Sequence, residues 1–283
     1  PKTPDMLQYE YARPALKLGL ALGRKLGVNP FKFGLSAASD THTALATTRE
    51  ENYFGKYQST EPSPKRHDNE VIPSFDPALR ILTSEEDDGF LMAVWAREKT
   101  RRDIFDAMQR NEVYATTGTR IRVRVFAGWD FEPEEVRRPD FAREGYRRGV
   151  PMGGDLTAGP TGQAPTFMIR ALRDPDGANL DRVQIVKGWL DAEGKTHERI
   201  YDVAVSDGRV IDARGRCDAP VGSTVDVADA SYTNSIGSAV MAAHWVDPDF
   251  EPTQRAFYYV RVIEIPTPRW TAYDAKFFKV EMP

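Results

Sequence analysis

The chain changes periodicity at Gly118, and that change constrains its fold more than any other feature. Beyond it, Ile121, Val123 and Val125 alternate with Arg122, Arg124 and Phe126, the period-two pattern of a half-exposed strand. Further strand candidates follow at 166–172, 181–187, 200–205, 222–227, 239–246 and 256–265. Turn signals separate them, among them Asp174-Pro175-Asp176-Gly177, Glu193-Gly194-Lys195, Asp207-Gly208 and Asp247-Pro248-Asp249. Short strands so punctuated, with little helical periodicity, predict an antiparallel β-sandwich over 119–283.

Upstream the pattern is helical. Leu18, Leu22 and Leu26 recur at four-residue spacing, Leu16 and Leu20 widen the stripe, and Pro14 and Gly27 suit the two ends of a helix over 13–26. After Asn29-Pro30, the run Phe31-Lys32-Phe33-Gly34-Leu35 reads as a short buried strand leading through small residues to Asp40. Helix, tight turn, apolar strand and polar strand end form the rhythm of a (β/α) barrel unit, whose chemistry gathers at the C-terminal ends of strands. Residues 48–84 are irregular and rich in Pro, Gly and charge, as long functional loops are. Ser84 with 85–88 predicts another helix start, Thr100 and Asp103 a second, and 113–118 a last strand. The expected class is α+β, with 1–118 the C-terminal portion of an irregular barrel and 119–283 the sandwich.

Composition narrows the function. With 41% hydrophobic and 28% charged residues the chain matches soluble globular proteins. A net charge of −4 gives no electrostatic basis for nucleic-acid or anionic-membrane binding. No window approaches the roughly 20 apolar residues of a membrane span. The single Cys217 forms no intramolecular disulfide and offers no CxxC spacing. The start, Pro1-Lys2-Thr3-Pro4-Asp5, has neither an initiator Met nor a signal peptide. The expectation is that the chain begins mid-protein, which leaves a periplasmic or secreted location open.

Ser39-Asp40-Thr41-His42 is the most informative tetrapeptide. Its carboxylate and imidazole, two residues apart, are able to reach one divalent cation at about 2.0–2.2 Å, and Ala37, Ala38 and Thr43 are small enough to leave room. The plainer alternative makes Asp40 a helix cap and His42 a loop histidine. Glu50 and Glu51 are candidates for a general base or an outer partner of a ligand, Lys56 for a cation that meets a phosphate. Each has a plainer reading as a solvated charge. His67, beside Lys65 and Arg66, is a candidate contact for an anionic substrate or else surface decoration. Gly153-Gly154 offers backbone amides to an anion or else a sharp turn. Asp174-Pro175-Asp176-Gly177 lacks the ligand ladder of a calcium loop and is read as a turn. The arginines at 137, 138, 143, 147 and 148 alternate with acids, as on a solvated face. Trp245, Phe257, Tyr258 and Tyr259 are expected in the sandwich core, or on a sugar-stacking surface if exposed.

The segment 31–43 resembles the last metal-binding motif of the polymerase and histidinol phosphatase (PHP) superfamily. More closely, the whole chain resembles the C-terminal half of a bacterial family, domain of unknown function 3604. The matching stretches are Ala38-Ser39-Asp40-Thr41-His42-Thr43, Glu51-Asn52-Tyr53-Phe54-Gly55-Lys56, and residues 113–118, 149–156, 179–188 and 257–270. The superfamily resemblance implies an irregular barrel holding two or three divalent ions (zinc, manganese or iron), with Asp40 and His42 both ligands. It implies a phosphoesterase-like hydrolase acting on a small molecule, an anionic ester by that analogy. The superfamily's other ligands come from an N-terminal His-x-His motif. His42, His67, His197 and His244 are the only histidines here and form no such motif, so the chain alone is expected to be inactive and to need a missing N-terminal barrel half. The competing expectation is a sandwich that binds glycan or protein, attached to an inactive barrel. Hydrolysis of an amide or sulfate ester at the same site is a third.

Overall fold

The computed structural model describes residues 4–75, 77, 80–157 and 159–282. Helix α1 (Ala12–Leu26) ends at Gly27, whose left-handed backbone (φ 78°) lets its N–H return to the Gly23 carbonyl. The chain then runs without regular structure to residue 49, so the strand expected at 31–35 does not form. Apolar side chains alone do not make a strand; it needs a neighbour's ladder, and none runs beside this segment. Strands β1 (Glu70–Ile72) and β2 (Ile81–Leu82) make a small antiparallel ribbon. The helix expected from Ser84 is a single 3-10 turn, Thr83–Glu85. Its acidic run supplies no apolar residue at the next helical turn, and the chain extends instead into β3 (Leu91–Val94).

Helix α2 (Arg101–Gln109) begins where Thr100 Oγ1 accepts the Asp103 N–H at 3.1 Å, as the capping signal predicts. It returns the chain into β4 (Val113–Thr116), which pairs antiparallel with β3. A (β/α) barrel needs parallel neighbours; this hairpin-like pairing and the small sheets around it form no closed barrel among the described residues.

From here the expected strands appear. They are β5 (Arg122–Gly128), β6 (Gly149–Pro151), β7 (Thr166–Leu172), β8 (Leu180–Leu190), β9 (Thr196–Val205), β10 (Val240–Val246) and β11 (Arg255–Glu264). They form one four-stranded sheet, β10-β7-β5-β6, and one three-stranded sheet, β11-β8-β9, antiparallel throughout. Alternate residues of both sheets meet in one core: Phe167, Ile169 and Ala171 of β7, Val183 and Ile185 of β8, Met241 and Ala243 of β10. Residues 222–227 form no strand; a single bridge joins Asp226 to Ser231.

Polar groups inside this core are paired. Lys187 of β8 is buried with its Nζ 2.6 Å from Asp247 and 2.7 Å from the Asp249 carbonyl, and Tyr258 Oη donates to Asp247 at 2.6 Å. Burial and the Asp247 charge both push the Tyr258 phenol far above its ordinary range. Trp245 and Tyr258 flank Phe167 in this core, as expected, while Phe257 and Tyr259 lie on the opposite face of β11.

Two helices cover the outer faces. Helix α3 (Phe141–Arg148) forms inside the Arg-rich segment, where charge masks it from a periodicity reading. Phe141 joins Phe126, Phe131, Val136 and Met168 in a second core. Gly145 touches the Phe126 ring so closely that a Cβ would lie 2.3 Å from it. Helix α1 packs on β8, β9 and β11 and so belongs to the three-stranded sheet, not to a barrel. Arg13 Nε donates to Tyr259 Oη at 2.8 Å, and Lys17 pairs with Glu198 at 2.8 Å. Its buried positions are Gly19, Leu20 and Gly23, whereas Leu26 of the predicted stripe is exposed. Helix α4 (Trp270–Phe278) returns the C-terminal segment to residues 50–66. No helix among the described residues is long and apolar enough to cross a membrane.

Candidate functional site

Asp40 and His42 lie in a sharp bend between two left-handed residues, Asp40 (φ 51°) and Ala44 (φ 60°). Asp tolerates that conformation; Ala loses roughly 1–2 kcal/mol in it. Such outliers cluster at functional sites, which makes this bend informative. The bend is fastened to residues 53–57: the His42 N–H donates to the Lys56 carbonyl at 2.9 Å, and the His42 ring lies 4.8 Å from that of Tyr57. Among the described residues, neither ring nitrogen of His42 has a hydrogen-bond partner. The ring opens on a concavity of about 530 Å³, shared with Tyr57, Gln58, Ser59, Glu70 and Val71.

Lys56 Nζ stands 2.5 Å from Asp40 Oδ2. Its hydrogen bond and charge, with a smaller contribution from His42, hold the Asp40 carboxyl below the usual carboxylate range. The same hydrogen bond raises Lys56. Behind Lys56 stands Glu86, whose Oε2 accepts the Tyr53 hydroxyl at 3.0 Å. Burial raises the Glu86 carboxyl, against that hydrogen bond and the Lys56 charge.

The other expected residues lie elsewhere. Glu50 is mostly buried, not solvated. It accepts the Trp270 N–H at 2.6 Å and pairs with Arg269 at 3.2 Å, and burial raises its carboxyl against both. Glu51 pairs with Arg49 at 3.4 Å. His67 is largely covered, with Nε2 3.3 Å from Asp68. Gly154 donates its N–H to the Pro151 carbonyl at 3.0 Å and Gly153 has φ 82°, so this pair makes the sharp turn and its inner amide is already taken.

The expected surface cluster around His67 hides the residue that organises the whole loop. Arg66 is 1% exposed. Its Nε and Nη2 donate to Asp274 at 2.5 and 2.8 Å, and Nη1 donates to the carbonyls of Tyr53 (2.9 Å) and Thr60 (3.3 Å). The Tyr53 and Trp270 rings stack on its guanidinium at 5.2 and 4.5 Å. Sequence reasoning missed Tyr53, Arg66, Glu86 and Asp274; the pairing of Arg66 with Asp274 spans 208 residues and leaves no local signal.

The family model described as protein of unknown function (DUF3604) matches residues 1–283. The chain belongs to DUF3604. No curated protein and no solved structure gives a significant match to this DUF3604 chain. Within it, Asp40 and His42 are two donors of the right chemistry for a divalent ion: one carboxylate oxygen not engaged by Lys56, and an imidazole without a partner. No group of three or more His, Cys, Asp or Glu residues able to hold a metal occurs among the described residues of this DUF3604 protein. The pair alone is short of the three or more protein ligands that a metal site normally needs.

Proposed function

We propose that this chain is part of a metal-dependent, phosphoesterase-like hydrolase of the PHP type, with residues 1–118 contributing to its metal-binding unit and 119–283 forming the attached sandwich. Asp40 and His42 are its ligands to a di- or trinuclear site completed by residues of a preceding barrel half. The observation that carries this reading is the His42 imidazole, with no hydrogen-bond partner among the described residues, at the rim of an open concavity and two positions from the Asp40 carboxylate that Lys56 holds. A bound divalent ion supplies a water of lowered pKa and stabilises charge developing on the scissile group. The chain's own residues do the rest. Lys56 orients the Asp40 carboxylate and presents positive charge to an anionic ester, and Tyr57 packs against the His42 ring.

Elemental analysis after dialysis against zinc, manganese or iron tests the proposal, on this chain and on a longer natural form that carries the preceding barrel half. Retention by the longer form, lost in both Asp40→Ala and His42→Ala, is the expected result. Undiminished metal in both variants would sink the ligand assignment. A second reading, the sandwich as a binding module, is favoured by a cleft of about 510 Å³ whose lining includes Phe257 and Tyr259, with rings parallel within 8°. Titration with oligosaccharides, followed by tryptophan and tyrosine fluorescence, tests it; an unchanged spectrum rejects glycan binding there.

A further inference from the structure

Helix α4 makes an unusual set of contacts for a C-terminal segment. Asp274 neutralises Arg66, Trp270 stacks on it, and Trp270 Nε1 and Arg269 Nη2 donate to the Glu86 carbonyl at 3.0 and 2.6 Å. The Arg66 guanidinium bonds the carbonyls at the two ends of a short segment, Tyr53 and Thr60. Between them lie Gly55, Lys56 and Tyr57. Gly55 has φ 108°, and a Cβ there would lie 2.2 Å from the Thr60 carbonyl oxygen, so the segment closes tightly on itself. Two of its side chains touch the candidate site: Lys56 on Asp40 and Tyr57 on His42. A contiguous path thus runs from Asp274 through Arg66 and residues 53–60 to Asp40 and His42.

We propose that Asp274 and Arg66 are positioning residues for Asp40 and His42, so that the C-terminal helix sets the geometry of the candidate metal site. The inference rests on the metal-site reading for its consequence and on the contact path for its mechanism. A buried guanidinium is held by matched acceptors; when its carboxylate partner goes, an uncompensated buried charge remains and the groups around it have to rearrange. The groups around Arg66 are the backbone that carries Lys56 and Tyr57.

Two readouts test this in Asp274→Asn: zinc affinity of the longer form, and hydrogen exchange at the His42 amide, which bonds the Lys56 carbonyl. The expected result is loss of His42 protection by about tenfold or more, and zinc binding weakened about tenfold, as for partners behind a ligand. The amides of β8 should keep their protection. His42 protection and zinc affinity both at wild-type levels would overturn the proposal. So would a fall in His42 protection no greater than that in β8, which marks a merely structural role. If wild type binds no zinc and Asp274→Asn still loosens His42 alone, the positioning path stands and the metal reading falls. Should Asp274→Asn fail to fold, Arg66→Lys keeps a charge opposite Asp274 but cannot bond the carboxylate and both the Tyr53 and Thr60 carbonyls at once. It should loosen His42 about threefold, and no change there would overturn the proposal.

Discussion

Removing the charge of Lys187 should destabilise the protein far more than its single ion pair suggests, and removing both partners should cost little beyond removing one. The side chains of Lys187 and Asp247 are 2% and 0% exposed, and their charged atoms stand 2.6 Å apart. Lys187→Met leaves Asp247 with the Tyr258 hydroxyl at 2.6 Å and the Asp249 N–H at 3.0 Å, but with no counter-charge. An uncompensated buried charge costs about 3–5 kcal/mol. At roughly 2–4 °C per kcal/mol for a chain near this size, the melting temperature falls by roughly 6–20 °C. Asp247→Asn strands Lys187 in the same way. The double variant removes both charges, so its loss should stay near that of either single variant, a coupling of about 2 kcal/mol or more. Urea denaturation of all four proteins with a common m value measures it. Additive single losses within about 0.5 kcal/mol would show that the two charges do not compensate each other.

Asp88 is buried, has no side-chain hydrogen bond among the described residues, and is pushed up to about 7 by burial, with the charges of Glu50 and Asp87 adding. Its folded pKa lies above the ordinary value of 3.8, so the native state holds this proton more tightly than the unfolded chain does. Its contribution is fully present below about pH 4 and is lost as pH rises through about 7. Thermal melts from pH 4.5 to 7.5 should show Asp88→Asn flattening that decline; an unchanged slope assigns the titration elsewhere. Gly55→Ala combines a left-handed backbone with a collision against the Thr60 carbonyl and should cost about 2 kcal/mol or more by urea denaturation. A loss under about 0.5 kcal/mol would mean that the loop opens without consequence.

The strands of the two larger antiparallel sheets were legible because each carries its own instruction. Residues 166–172 alternate between two buried faces, and their predicted limits coincide with β7. β8 extends to Leu190, past the predicted end at Lys187, because that lysine is a core residue paired with Asp247 and only its charge suggests an edge. Elsewhere the deciding partner is far away. The 31–35 run has the composition of a strand and no ladder to join. The leucines of α1 predict an amphipathic helix correctly, yet the face it buries follows Gly19 and Gly23, where small residues permit close approach. Charge also misleads: Glu50 and Arg66 read as solvated, yet Glu50 is mostly covered and Arg66 is buried, because α4 brings Trp270 and Asp274 to them. The sequence singles out Asp40, His42 and Lys56, and the structure brings them next to one another. The residues packed behind them were not legible, since nothing near Arg66 announces a carboxylate 208 positions later.

That separation also sets a schedule. During synthesis from the N-terminus, residues 38–68 are complete long before the helix that closes over them has been made. The sheet strands follow, and of their five pairings only β5 with β6 and β8 with β9 join neighbours in the chain. The contacts that α4 makes with Glu50 and Arg66 are complete only once that helix has been made. A ribosome stalled before residue 270 would therefore carry residues 53–66 without the partners that Trp270 and Asp274 supply.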